Sequence, residues 1–319
     1  MIVKLQAGDY TAFINPERGA NCISLRNSKY KAIILREPNK SGVLDNPYLY
    51  GMPILYPANR ISGGSFRFEG RTYKFPINEP GTNCHLHGML HEMEFEITKS
   101  DKSFVKCVFE KPYLDFPHSF RIEMTYRLSA DGLEQRTKIT NLSEENMPNF
   151  LGFHATFNVP FLEGASAEDV RLYAEIGNKI ERDRNYLPTG RLLSYDDVDE
   201  KINSGEFMPL EKVISRHYRT KKGGQIELKE IKQGIKLMYE NDEKFGWRLI
   251  YNGDGTQYIC LEPQTCMANC PNSPFDREFT GFSWLEPGDE REFISHISCT
   301  PATMQEYEEY IKNGTKPKK

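Results

Sequence analysis

Alternation of apolar and polar residues dominates this chain. In "GSFRFEGRTYKFPI", Phe66 and Phe68 alternate with polar neighbours, Glu69-Gly70 makes a turn, and Tyr73 and Phe75 resume the pattern. A period of two puts the four rings on one face of a β-hairpin. "SFRIEMTYRLSADGLEQRTKITNLS" repeats the device, with Ile122, Met124, Tyr126 and Leu128 on one face and Asp131-Gly132 at the turn. "GGQIELKEIKQGIKLMYEND" gives a third pair, and "FGWRLIYNGDGTQYICLEPQT" a fourth that turns through Asn252-Gly253-Asp254-Gly255. Strands and turns recurring at this pace predict an all-β protein, a large antiparallel β-sandwich or barrel.

Helix is scarce. The best candidate lies in "CTPATMQEYEEYIKNG", with Thr300 as N-cap, Pro301 at the first helical position and Gly314 just beyond the end. Met304, Tyr307, Tyr310 and Ile311 would form its apolar stripe. The segment 180–225, with "LPTGRLLSYDDVDEKINSG", reads as an irregular polar excursion. Nothing resembles an interdomain linker or an internal repeat, so one domain over residues 1–319 is expected.

Composition narrows the function. A domain of 319 residues hides roughly three quarters of its unfolded surface, enough for a large core. A net charge of −4 argues against a nucleic-acid partner, which would ask for a basic stripe. The basic tail "NGTKPKK" reads as a solubilising end. No apolar run approaches the ~20 residues that span a bilayer, and the first residues lack a signal-peptide layout, so no membrane partner and a cytoplasmic location are expected. Seven cysteines, an odd number, suit free thiols better than a disulfide framework. Cys260, Cys266 and Cys270 cluster without a CxxC pair, which favours buried thiols over a metal site.

"NCHLHGMLHE" concentrates His85, His87, His91 and Glu92. On a strand His85 and His87 would share a face, and with Glu92 they have a spacing used by cupin metal sites. The second motif of a cupin is missing, and Gly88 suggests that the strand stops at His87. Elsewhere, "FLGFHATFNVP" holds His154 in an apolar setting, where a lone histidine is more often a core residue than a catalyst. "YICLEPQT" carries Glu262 at the end of an apolar strand closed by Pro263. If buried there, its pKa rises toward general-base range; read alone, the stretch fits a water-exposed glutamate equally well. "YPANRISGG" adds Asn59 and Arg60, the latter either a surface ion-pair partner or a fixed cation for a sugar hydroxyl or carboxylate.

In order, "NRISGGSFRFEGRTYKFPIN", "LHG", "FPHSFRIEMTYRL" with "LGFHATF", "CLEPQT" and "LEPGDEREF" resemble the aldose 1-epimerase (galactose mutarotase-like) family. The resemblance implies a supersandwich of extended antiparallel sheets with an open cleft. It also implies cofactor-free interconversion of the α and β anomers of a free sugar. By position, Glu262 would be the general base on the C1 hydroxyl and His154 the general acid on the ring oxygen. His87, Arg60 and Asn59 would bind the sugar, leaving His85 and His91 as bystanders on the rim. The pair is expected to face each other across a sugar-sized hollow, in a monomer or a homodimer. Two other readings are a non-catalytic sugar-binding protein of the same fold and a cupin-like metal protein.

The chain departs from the family pattern in places. The family's sugar-binding aspartate has no counterpart in "KVISRHYRTKK", where Ser215, Arg216 and His217 stand, and Asp196, Asp197 and Asp199 upstream do not fit the motif. A basic Arg216-His217 is compatible with an acidic or phosphorylated sugar. Met89 replaces the second glycine of the first histidine motif, and the asparagine stands one place upstream, at Asn83.

Overall fold

The computed structural model describes residues 1–38, 46–221, 224–303 and the positions 306 and 308. About 49% of the chain is strand and about 10% helix, the all-β class that the alternation predicts. One eight-stranded sheet runs in the order Glu96–Ser100, Phe104–Phe109, Phe120–Ser129, Gly132–Asn141, Glu290–Pro301, Ile235–Asn241, Ile226–Glu230, Val170–Ala174. The other runs Pro188–Leu193, Ile176–Arg182, Ser215–Thr220, Trp247–Tyr251, Tyr258–Gln264, Gly152–Phe153, Ile54–Leu55, with Thr156–Asn158 also paired to Tyr258–Gln264. A four-stranded sheet, Val3–Ala7 to Ala32–Ile33, and smaller ribbons complete the sandwich.

The alternating rows face inward as read. Ile122, Met124, Tyr126 and Leu128 are buried, and their polar neighbours are partly or fully exposed. The two large sheets meet through rings, Phe157 of one lying 5.3 Å from Tyr239 of the other. Each such side chain contributes roughly 1.5–3 kcal/mol on burial. Among the described residues, one cluster of buried apolar side chains extends from Leu5 to Cys299 and draws on every large sheet.

Four local expectations are corrected. The second hairpin turns through Ala130-Asp131, and Gly132 is already the first residue of the returning strand, paired with Ser129. Thr300 and Pro301 belong to the strand Glu290–Pro301 rather than to a helix start. The cap is Thr303: its hydroxyl accepts the Glu306 N–H at 3.3 Å, and the Glu306 carboxylate accepts the Thr303 N–H at 2.6 Å, a reciprocal capping box. The proposed stripe Met304, Tyr307, Tyr310 and Ile311, with Gly314 and the basic tail, lies outside the described residues.

The segment 180–225 is ordered as the hairpin Ile176–Arg182 with Pro188–Leu193, the helix Asp197–Ser204 and the strand Ser215–Thr220. Its polar composition serves an ion cluster rather than a loop. Finally, Pro263 does not end the strand that carries Glu262, which continues to Gln264. Leu261 and Thr265 donate to the Ala155 and Leu151 carbonyls on either side of it, so Pro263, opposite Phe153, leaves a one-bond gap in an otherwise continuous pairing. All seven cysteines are buried and free. No helix among the described residues is long and apolar enough to cross a membrane.

Candidate active site

The break between Gly152–Phe153 and Thr156–Asn158 places His154. Gly152 pairs with Gln264 and Thr156 with Cys260, so His154 is the cross-strand neighbour of Glu262 and shares its face. Nε2 of His154 lies 3.1 Å from Oε1 of Glu262. The pair therefore stands side by side on one wall, rather than across the hollow as expected. Both groups are buried, Glu262 completely, at the base of a cleft of about 300 Å³. Tyr48, Arg60, Glu79, His87, Tyr186 and Ser215 are among the other lining residues.

Burial sets the protonation of the pair. Desolvation pushes the Glu262 carboxyl up to about 8, against the smaller opposing pull of Gln264, Arg182 and Arg60. Desolvation lowers the His154 imidazole to about 3. Between those limits the pair holds one transferable proton. Its two sites are 3.1 Å apart without an aligned hydrogen bond; a proton passed from the acid to the imidazole, directly or through a bound hydroxyl, converts the neutral pair into carboxylate and imidazolium. Oε2 of Glu262 accepts a hydrogen bond from Gln264 Nε2 at 3.1 Å, while Oε1, close to His154 Nε2, is buried and makes no aligned hydrogen bond. Buried acceptors are seldom left so; this one is aimed at whatever enters the cleft.

His87 follows the short strand Cys84–Leu86 in a left-handed conformation, φ 63°, and Gly88 continues it at φ 66°. A Cβ at Gly88 would lie 1.9 Å from the Tyr56 carbonyl oxygen, so only glycine fits the "LHG" reversal. Met89, at φ −129°, needs no glycine. The turn aims the His87 ring at the cleft, 5.5 Å from that of His154. Nδ1 of His87 accepts the Asn59 N–H at 3.2 Å, which leaves Nε2–H as the donor. Burial, then the neighbouring His154, holds its pKa well below the usual value, so the ring is neutral.

Asn59 lies behind the wall rather than on it. Its side chain donates to Gln264 at 3.1 Å and accepts the Arg60 N–H at 2.9 Å, and its carbonyl accepts the His87 N–H at 3.0 Å. It thus links His87 to Glu262 through Gln264 and positions both. Arg60 is on the wall, but Glu79 holds it in two hydrogen bonds of 2.6 Å each. The guanidinium also stacks 4.6 Å over Tyr186.

The other histidines of the opening motif do not join. His85 bonds the Pro76 carbonyl at 2.7 Å and packs 4.9 Å from Phe75, while His91 is buried against Tyr48 at 4.6 Å. They are interior residues, not rim bystanders. Glu92 sits on a short turn beside His91, so the cupin trio His85, His87 and Glu92 is not assembled. Among the described residues the one set with ligand-type donors close together is His87, His154 and Glu262, within 4.8 Å of one another. A single Zn²⁺ holds its donors roughly 3.4 Å apart, so that trio would have to close further to share an ion.

Arg216 does not offer its charge to the cleft. It pairs with Asp196 at 2.8 Å and Asp199 at 2.7 Å, in a cluster that Lys179 completes. Tyr48, Glu79, Gln264, Arg182 and Tyr186 lay outside the sequence reading. Gln264, two residues from Glu262 on one strand, shares its face by the period-two rule, a signal present in "CLEPQT". The other four come from segments with no motif.

The fold and the site define a large antiparallel β-sandwich with a carboxyl–imidazole pair in its cleft. The sequence profile described as aldose 1-epimerase matches residues 1–298, and the chain belongs to that family. It is similar to the uncharacterised protein YihR of Escherichia coli, 24% identical over 86% of this chain and 87% of that one. Among solved structures, a galactose mutarotase-like protein from Clostridium acetobutylicum superposes with a TM-score of 0.89 at 30% identity, covering 94% of this chain and 95% of that one. A putative aldose 1-epimerase from E. coli gives a TM-score of 0.79 at 20% identity, over 94% and 99% of the two chains, which speaks for the fold.

Proposed function

We propose that the protein interconverts the α and β anomers of a free aldose by ring opening, with Glu262 and His154 as the catalytic pair and no cofactor. The observation that carries this reading is the 3.1 Å approach of His154 Nε2 to Glu262 Oε1 in a cleft of sugar size. The C1 hydroxyl and the ring oxygen are bonded to the same carbon. A base and an acid standing side by side on one wall therefore reach both.

As carboxylate, Glu262 takes the C1 hydroxyl proton while the bond from C1 to the ring oxygen breaks. His154, as imidazolium, protonates that oxygen, giving the open aldehyde. After rotation about C1–C2 the flow reverses: the carboxylic acid returns its proton to the C1 oxygen and the neutral imidazole takes one from the hydroxyl. The open-chain stage thus carries the neutral pair, which burial favours in the empty cleft. The neutral Nε2–H of His87 donates to a sugar oxygen beside the pair, and the remaining N–H groups of Arg60 hold the ring from the side. Each positioned proton transfer contributes on the order of 10²–10⁴ in rate.

Polarimetry on freshly dissolved α-D-glucose and α-D-galactose tests the reading. Rotation should decay faster in proportion to enzyme concentration. Decay at the buffer rate for every aldose, with retained sugar binding, would leave a sugar-binding protein of the same fold.

A further inference from the structure

A second hollow of about 270 Å³ shares Tyr186 and Ser215 with the cleft, and Lys179, Arg182, Asp183, Arg216 and His217 also line it. Its charges fall into two kinds. Lys179 and Arg216 are spent on Asp196 and Asp199. Asp183 is turned to its own hairpin, accepting the Asn185 and Leu187 N–H groups at 2.8 and 2.9 Å.

Arg182 is different. It donates to the carbonyl and, at 3.1 Å, to the hydroxyl of Ser215, and it stacks 5.5 Å over Tyr186; among the described residues it is in no ion pair, and the Glu262 carboxyl acts on it only through its field. Burial, reinforced by the Arg60 guanidinium, lowers it to about 10, a guanidinium held at a cost. Beside it His217 is 1% exposed, and neither ring nitrogen has a hydrogen-bond partner. A neutral imidazole always has one N–H to give. A buried unpaired cation and a buried unpaired donor on one hollow describe a place for an anion.

We propose that the aldose carries an oxyanion, a carboxylate or a phosphate, away from its anomeric carbon, and that Arg182 and His217 bind it; this rests on the epimerase reading. With the ring over Glu262 and His154, the substituent passes Tyr186 and Ser215 into the second hollow. Arg182, a residue the sequence did not single out, supplies the charge that Arg216 cannot.

The test compares anomer exchange by NMR for D-glucose, D-glucuronate and D-glucose 6-phosphate in the wild type and in Arg182→Gln. For one of the two anions, kcat/KM should exceed that of glucose about 10- to 100-fold, the gain expected of a hydrogen bond to a charged group. In Arg182→Gln the ratio should fall to within about 3-fold. The anion that shows the gain assigns carboxylate or phosphate. Equal rates for neutral and anionic sugars in the wild type, or a ratio unchanged in the variant, overturns the proposal. Should Arg182→Gln not fold, His217→Phe reads the same ratio, which should fall several-fold. If no sugar exchanges, calorimetry with 1,5-anhydroglucitol and its 6-phosphate separates the two ideas. Tighter, Arg182-dependent binding of the phosphate keeps the anion site without the epimerase, and equal binding of the two removes it.

Discussion

Two groups of buried charges occupy the same sheet and have opposite fates. Around the helix Asp197–Ser204, the fully buried Asp199 accepts from Lys179 at 2.6 Å, the Asp196 N–H at 2.8 Å and Arg216 at 2.7 Å, and also from the Tyr218 hydroxyl. Burial pushes the neighbouring Asp196 carboxyl up, but Arg216 and Lys179 outweigh it and hold it well below its usual range. Two strands from the one that carries Arg216 and Tyr218, the equally buried Glu262 has one amide donor and an imidazole that burial has made neutral. The first group is satisfied and holds structure together. The second is left short of partners, and a carboxyl near neutrality beside an imidazole is a proton shuttle. Burial is common to both; pairing decides between scaffold and chemistry.

The largest effects should come from breaking the shuttle. His154→Asn and Glu262→Gln should each lower kcat by about 10²–10⁴, and the double variant should cost little more than either single one, because the two residues share one proton. Rates from stopped polarimetry check this; additive losses would mean independent roles.

Breaking the scaffold should show the reverse. Asp199→Ala leaves Lys179 and Arg216 with Asp196 alone and takes the acceptor from the Tyr218 hydroxyl, and should cost about 3 kcal/mol in a urea titration, with anomer exchange near wild type wherever the variant remains folded. A selective loss of exchange without loss of stability would dissolve the contrast.

Titration sharpens it. Burial raises the folded pKa of Glu262 to about 8 from an ordinary 4.5, so the folded protein binds this proton more tightly than the unfolded chain does. The penalty of keeping the carboxyl buried is absent below about pH 4.5, grows as pH rises, and is complete above about 8. The melting temperature of Glu262→Gln, relative to wild type, should therefore rise between pH 5 and pH 8. Over the same range kcat should be nearly flat, falling above about pH 8 as the pair loses its one proton.

How much of this was legible in the sequence depends on what each residue needed. The hairpins around Phe66 and Ile122 could be read because a half-buried strand writes its face into every second residue. Glu262 stood out as a carboxylate in an apolar strand, and His154 through its place in a motif. That they are cross-strand neighbours was hidden, because pairing between segments about a hundred residues apart leaves no local trace. Asn59 was found, but not its position behind the wall, since four backbone and side-chain bonds decide that. Arg182 and Tyr186 were invisible: they sit in a segment whose polar composition reads as a loop. Thr303 was missed in favour of Thr300 because the last strand runs farther than its alternation suggests.

Smaller effects probe the supports. Gln264→Leu removes the donor to Glu262 and the link to Asn59, and should lower kcat about 10-fold while raising the pH at which activity falls. Asn59→Ala should act in the same direction, and more on kcat than on KM. Dialysis against a chelator should change nothing; activity lost and restored by Zn²⁺ would mean that His87, His154 and Glu262 close on an ion instead.

The most direct measurement is exchange NMR on an aldose labelled with ¹³C at C1, its two anomers observed at once with wild-type protein and with Glu262→Gln. Cross-peaks between the anomers should appear with the wild type and fall to the buffer level with the variant, while the sugar still perturbs the His87 ring resonances in both. Equal cross-peaks from the two proteins would contradict the role given to the unpaired carboxyl.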